Sequence, residues 1–508
     1  MSRILVLLPV ALWFLWADAH VGDPSPVSAG RRWADPTALA LFVGGLALAV
    51  AFLAYAAVRA ARREARGRSA RQRLFRVTHA LMLPATIGWF AFALFQLGWG
   101  DAVRELTSRP PLQLLSAPGA VLATLPMYAT WALMLAAEYP VVRQRRESRL
   151  LVDLEDGRPI FAPPPAWRYW ALAVRQRLLF ALVPLLALML VRDAAMLGLS
   201  AAGVGRTPAV EAAVFGLSTL AVIAASPELI RRLLPTRPLA PGPLRDRLER
   251  VGRRTGLHMR DVLVWDTEQT MVNAAVVGFL PRMRYVLLSD ALLEVMSPAQ
   301  VEAVFAHEVG HVRHRHVLWY FVFLVGMTLF LGGPVEAVWR WLVAAQGFES
   351  LAGTAAEYAV GFASLGLVLA GFGLLSRLFE RQADVFAART MQALATSPAD
   401  GSTALARRTP VGAEGAILFG SSLDRAARMN HVPLAPVRPG RGAAGFVAWA
   451  AEELTHFLHG TIRSRMAYLV ELAHHPDRTR RFDRTVAAVK FGVLALTLGS
   501  GAFVALTL

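Results

Sequence analysis

Ser297 to His316 reads S-P-A-Q-V-E-A-V-F-A-H-E-V-G-H-V-R-H-R-H. Ser297 suits an N-cap, Pro298 the first helical position, and Gln300 completes a capping box, so a helix is predicted with nothing to stop it before His316. His307 and His311 stand four residues apart. On a helix that spacing puts both imidazoles on one face, with Glu308 beside them.

This is the H-E-x-x-H pattern of zinc proteases: two neutral imidazole ligands and a carboxylate placed to act as a base. A catalytic zinc needs a third ligand from elsewhere. The metzincin arrangement would put a histidine six residues after His311 with a glycine midway, but Val317 and His314 occupy those positions. Farther on, Ser376 to Asp384 reads S-R-L-F-E-R-Q-A-D, with Glu380 and Asp384 at helical spacing on one face. Glu380 is then the third ligand, and Asp384 an acceptor able to hold the N–H of a ligand histidine and fix its tautomer. Bland alternatives stand beside each residue. Glu380 could pair with Arg377 or Arg381, Asp384 could make an ordinary helix salt bridge, and His314 could be a solvated histidine, not one approaching the metal.

H-E-V-G-H followed by a distant S-R-x-x-E-x-x-A-D resembles the HtpX-like and CAAX prenyl endopeptidases, integral-membrane zinc proteases of the gluzincin type. V-N-A-A at Val272 to Ala275, R-Y-V-L-L-S-D-A-L-L at Arg284 to Leu293, and the H-P of His475 and Pro476 with Arg481 strengthen the likeness. The resemblance covers Pro227 to Arg481. It implies one zinc per chain on His307, His311 and Glu380, and catalysis by Glu308, with His475 and Arg481 steadying the oxyanion or substrate. On sequence alone, a helix-ending H-P with a basic tail accounts for those last two equally well.

The chain has 508 residues, 55% of them hydrophobic, and no cysteine. With a mean hydropathy of +0.44 it is too apolar for an ordinary soluble protein. Without cysteine, any metal must sit on His, Asp or Glu. The net charge of +17 could suggest nucleic acid, but the arginines cluster beside apolar runs, as in the cytoplasmic loops of membrane proteins. No nucleic-acid partner is expected; the bilayer and polypeptide substrates are. No pattern specifies an oligomeric state.

Ile4 to Trp16, followed by Ala17-Asp18-Ala19, reads equally as a signal peptide over residues 1–19 or a short first span. A membrane region of about five spans occupies 20–227: Thr37 to Val58, Val77 to Trp99, Pro118 to Ala137, Leu178 to Val191 and Pro208 to Ser226. Arg59 to Arg76 holds eight arginines against one glutamate and should be cytoplasmic, as should Arg143, Arg145, Arg146 and Arg149. Arg175 and Arg177 are expected to snorkel to the interface. A hairpin of two spans, Val317 to Val343 (broken by Gly332-Gly333-Pro334) and Tyr358 to Leu378, separates the first part of the protease domain (228–316) from the second (379–485). A last span covers 486–508. Two crossings return the chain to the side it left, so His307, His311 and Glu380 can meet. The expected setting is a bacterial inner membrane, with the site on the cytoplasmic side.

The fold expected is mainly α: a polytopic membrane protein with a small α+β gluzincin-like zinc protease domain at the cytoplasmic face. Arg245 to Thr255 reads as a basic amphipathic helix. Asp261 to Trp265, Met271 to Leu280 and Tyr285 to Leu288 read as strands. Asn273, Ala274 and Ala275 would leave room for an extended substrate to pair with that edge, or else mark a strand with little space around it. Arg407 to Gly445 reads as a mobile loop, with helices expected at Ala444 to His459 and Thr461 to Leu472. His456, His459 and His474 read as surface or packing residues. The leading function is a zinc endopeptidase acting on membrane or misfolded proteins. A CAAX-type processing protease is the alternative, then a signalling receptor or a catalytically silent scaffold.

Overall fold

The computed structural model describes residues 5–20, 36–62, 68–108, 112, 115–155, 160–346, 351–396, 409–430, 432 and 460–507. Among these, eight helices are long and apolar enough to cross a membrane. The N-terminal bundle comprises α1 (Leu8–Ala19), α2 (Pro36–Ala61), α3 (Arg68–Phe95), α4 (Trp99–Thr107), α5 (Ala117–Ala137), α6 (Tyr139–Glu155), α7 (Ala166–Val174), α8 (Phe180–Ala201) and α9 (Pro208–Leu233). Large aromatics fill it: Trp16, Phe42, Phe90 and Trp131 are fully buried. The indole N–H of Trp131 donates to Thr86 Oγ1 at 3.0 Å, and that of Trp89 to the Phe42 carbonyl at 3.0 Å, so the buried polar edges are satisfied.

Helices α7 and α8 are joined by a π turn over Arg175–Leu179, giving one long element in place of the short span expected from Leu178. Arg177 does not simply snorkel: its Nη1 donates to Glu138 Oε2 at 3.1 Å, while His79 Nε2 lies 2.8 Å from Glu138 Oε1. Opposite charges drawn together between helices cost less than either alone in an apolar layer.

After α9 come β1 (Thr236–Pro238), α10 (Pro243–Thr255), β2 (Asp261–Trp265), β3 (Ala274–Val277) and β4 (Tyr285–Ser289). The sheet order is β1-β2-β4-β3, so β3 is an edge. β2 and β4 run parallel; β1 pairs with β2, and β3 with β4, antiparallel. β3 is shorter than the run from Met271 to Leu280. At its start, Val272 is held by the Asn430 side chain, which accepts from the Val272 N–H at 2.8 Å and donates to its carbonyl at 2.6 Å. Its backbone groups are therefore satisfied outside any ladder.

Next are α11 (Asp290–Val295) and α12 (Pro298–Arg313). The capping box forms as the sequence predicts, with Ser297 Oγ accepting from the Gln300 N–H at 3.3 Å and Gln300 Oε1 from the Ser297 N–H at 3.1 Å. The helix does not continue to His316. It ends at Arg313, Arg315 takes a left-handed conformation with φ 55°, and α13 (His316–Phe330) starts in a new direction. Lys490 Nζ donates to the His314 carbonyl at 3.0 Å, capping a group the helix end leaves free.

α13 runs through a π turn at Leu331–Val335 into α14 (Glu336–Gln346). Gly332-Gly333-Pro334 therefore does not break the span; the wider turn absorbs the missing proline N–H. α15 (Leu351–Thr396) has 46 residues, about 69 Å at 1.5 Å per residue against roughly 30 Å of hydrocarbon. Its C-terminal part therefore projects beyond the apolar layer, carrying Glu380 and Asp384. α16 (Ala413–Asn430) falls inside the stretch read as a mobile loop and is instead a core helix, with Phe419 1% exposed. The chain finishes with α17 (Ile462–His474) and α18 (Pro476–Thr507). The helix expected from Ala444 to His459, with His456 and His459, lies outside the described residues. Val286, Leu288, Phe305, Phe386, Phe419 and Leu469 belong to one core uniting sheet, α12, α15, α16 and α17.

Candidate metal centre

α12 and α15 meet at a close crossing. A Cβ on Gly310 would lie 3.0 Å from Ala383 Cα and 3.3 Å from its Cβ, tighter than side chains normally pack, so glycine here favours the close approach of the two helices. That approach brings Glu380 opposite the two histidines of α12.

His307 Nε2 and His311 Nε2 are 3.1 Å apart, and lie 3.7 and 3.8 Å from Glu380 Oε2 and Oε1 respectively. Donors about 2.0–2.1 Å from a tetrahedral zinc would stand roughly 3.3 Å from one another. The spacing and the His-His-carboxylate chemistry therefore fit that ion. Among the described residues these three form a group able to hold a metal.

Around the ligands lies a ring of buried polar support. His307 Nδ1 is 3.0 Å from Asp384 Oδ1, within ion-pair distance but out of line for a hydrogen bond, and Nε2 faces the cluster. Asp384 is gripped by Arg465, whose Nε and Nη2 donate to Oδ2 and Oδ1 at 2.8 and 2.6 Å, while Nη1 is 3.2 Å from Glu380 Oε2. Burial opposes the charge on Arg465, but Asp384 and Glu380 hold the guanidinium firmly protonated. The His307 ring stacks on Phe419, centroids 5.5 Å apart. Burial, then the charge on His307, pushes the His311 imidazole down to about 4, favouring the neutral form that could bind a metal. The Glu308 carboxyl is pushed up to about 7, chiefly by burial and against the pull of His307, with the nearby Val276 backbone drawing it partly back down. Glu308 thus faces edge strand β3 as well as the ligand group.

His475 and Arg481 are exposed, at the start of α18, and the buried arginine touching Glu380 and Asp384 is Arg465. The sequence reading missed Arg465. It follows His459 by the same six residues that separate Arg481 from His475. Gly460 in place of a proline hid that second copy of the pattern; His459 itself lies outside the described residues. His314 is not in the ligand group; its ring stacks on His316 at 5.8 Å and meets Phe386 edge-on. Arg381 lies over the Tyr468 ring, 5.1 Å from its centroid, so it is not turned to Glu380 alone. The Asn273 backbone bonds Ser289 twice, its N–H donating to the Ser289 side-chain Oγ at 2.9 Å and its carbonyl accepting from the Ser289 N–H at 2.9 Å. Ala274 and Ala275 pair with Leu288 and Leu287, leaving the other side of β3 without a partner strand.

The family model of peptidase family M48 matches residues 238–487. This region is similar to the M48 peptidases. The chain is 32% identical over 185 residues to a protease HtpX homolog of Aeropyrum pernix, covering 36% of this chain and 57% of that relative. It is 29% identical over 169 residues to a CAAX prenyl protease 1 homolog of Arabidopsis thaliana, covering 32% of this chain and 40% of that one. Both matches span less than two thirds of the relatives' own lengths. Among solved structures, S. mikatae Ste24p aligns over 86% of this chain and 100% of its own at 14% identity and a TM-score of 0.44. The first 237 residues, including the bundle α1 to α9, lie outside the M48 match.

Proposed function

We propose that the M48 domain is a zinc-dependent endopeptidase working at the cytoplasmic membrane surface of a bacterium on polypeptide segments of membrane or misfolded proteins. The observation that carries this reading is the convergence of His307, His311 and Glu380, with ligand atoms within 4.8 Å of one another, beside Glu308. A zinc ion held there would polarise water and the substrate carbonyl.

The chain's own groups supply the rest. Glu308, with a carboxyl near neutrality, takes the proton of the attacking water and passes it to the leaving amine. Asp384 and Arg465 hold the His307 ring in register. The free side of β3 offers N–H and C=O groups to an extended substrate, which reads backbone more than side chain. Ala274 and Ala275 keep that approach open.

The cytoplasmic side is supported by contacts between the arginine-rich helix ends and this domain. Arg146 Nη2 donates to the Glu268 carbonyl at 2.7 Å, and Arg168 Nε is 2.5 Å from Glu268 Oε1, just before β3. Arginine beside spans marks the cytoplasmic leaflet.

The test is metal content and casein cleavage by the full chain in detergent, for wild type and Glu308→Gln. Both should bind about one zinc, and only wild type should cleave. Equal cleavage by the two would remove Glu308 as the base. Relatives named for HtpX and for CAAX prenyl proteases share this chemistry, so a prenylated CAAX peptide belongs in the same assay. Its cleavage in preference to casein would favour the processing role.

A further inference from the structure

The two ligand histidines are backed differently. His307 has a carboxylate behind it, whereas His311 has another imidazole: His316 Nδ1 lies 2.8 Å from His311 Nδ1. Two imidazole nitrogens at that distance must share one proton, one donating and the other accepting. Which way the bond runs decides whether His311 Nε2 carries a lone pair or a hydrogen.

The direction is set farther out. His316 is fully buried, and its Nε2 lies 3.0 Å from Gln382 Oε1. Lys490 Nζ lies 3.3 Å from the same oxygen, and over the rings of Phe379 and Trp319 at 5.2 and 5.6 Å. An ammonium can only donate, so it must meet the amide oxygen of Gln382 and not the amide nitrogen. That oxygen must then accept from His316 Nε2–H, which leaves His316 Nδ1 with its lone pair. His311 must place its proton on Nδ1, and its Nε2 is left free to bind a metal. Reversing any bond sets donor against donor or acceptor against acceptor in a buried site.

We infer that Lys490, Gln382 and His316 are positioning residues that act in series to fix His311 in its metal-binding tautomer. The inference rests on the zinc reading of His307, His311 and Glu380, which it deepens. It also gives a task to the chain's one lysine.

The test is zinc affinity of the full-length chain in detergent, measured by competition with a chromogenic chelator. His316→Phe keeps a ring to stack on Phe379, now at 4.3 Å, but supplies no acceptor. His316→Asn loses the ring but keeps an acceptor at the Nδ1 position. Affinity should fall about 10–100-fold in His316→Phe and stay within about threefold in His316→Asn. A packing role would give the reverse order. Lys490→Met should also weaken zinc binding, because Gln382 can then flip. Adding Gln382→Glu should restore it, since a carboxylate presents oxygen either way. Wild-type affinity in His316→Phe, equal loss in His316→Phe and His316→Asn, or no rescue by Gln382→Glu would each overturn the inference. A wild-type chain that binds no zinc would bring down the metal reading itself.

Discussion

Arg465 and Asp384 form a two-bonded ion pair with both side chains buried, Nε to Oδ2 at 2.8 Å and Nη2 to Oδ1 at 2.6 Å. The pair joins α17 to α15 directly behind His307. Arg465→Met would leave Asp384 and Glu380 without their buried counter-charge, at a cost of about 3–5 kcal/mol. Arg465→Lys keeps the charge but loses the fork, and should fall between wild type and Arg465→Met. Thermal unfolding in detergent, read alongside zinc content, checks both; an unchanged midpoint in Arg465→Met would show the pair to be dispensable.

Gly310→Ala should force α12 and α15 apart, costing about 1–3 kcal/mol and loosening the ligand group. The nearest atom to the new methyl is Ala383 Cα at 3.0 Å, with Ala383 Cβ at 3.3 Å. Adding Ala383→Gly removes the Cβ contact but leaves the Cα and the carbonyl oxygen, the latter also at 3.3 Å, so the double variant should recover part of the lost stability and not all of it. Full recovery in a double-mutant cycle would mean the helices are not in backbone contact.

Asn430→Ala should leave the N–H and carbonyl of Val272 without their partners, at about 1–3 kcal/mol for each orphaned group. The loss falls at the entry to β3. Hydrogen exchange should rise at residues 271–277 more than in β2 or β4. Uniform exchange across the sheet would contradict the pinning role.

Ala275→Trp places bulk on the strand proposed to receive substrate while leaving the three ligands untouched. Casein cleavage should fall on the order of tenfold or more through misplacement of the scissile bond, with zinc content unchanged. Normal cleavage would argue against β-pairing at this edge.

The pair Arg168 and Glu268 makes the opposite kind of prediction. Arg168 is half exposed, its side chain at 53%. A double-mutant cycle should therefore return no more than about 1 kcal/mol. A larger coupling would mean that the N-terminal bundle braces the catalytic domain more firmly than a surface contact can.

The sequence disclosed what local rules govern. The capping box at Ser297 and Gln300 starts the helix, four-residue spacing aligns His307 with His311, and the apolar hairpin returns Glu380 to the same side. Its omissions have physical causes. Arg465 acts through a contact 81 residues away in sequence from Asp384, which no periodicity reports. α16 was obscured because Gly415 and Gly420 dilute its helical pattern. Yet a Cβ on Gly415 would come within 2.1 Å of the Ala388 carbonyl oxygen, so that glycine serves close packing on α15 and not looseness. The end of α12 at Arg313 was invisible for a similar reason. A left-handed Arg315 follows from no residue preference; it is sustained by the groups that receive the chain after the turn.

That turn ties the metal-centre domain directly to an apolar helix long enough to cross a membrane. His316 is at once the first residue of a helix long and apolar enough to cross a membrane and the neighbour of His311. A water-soluble fragment cut off at Arg313 would retain the whole HEVGH signature and still lack what stands behind His311. Sliding α13 by one helical turn, about 5.4 Å, would have the same effect without cutting anything. On the proposed reading, a bilayer holding α13 would be mechanically connected to His311 through the residue that starts the helix.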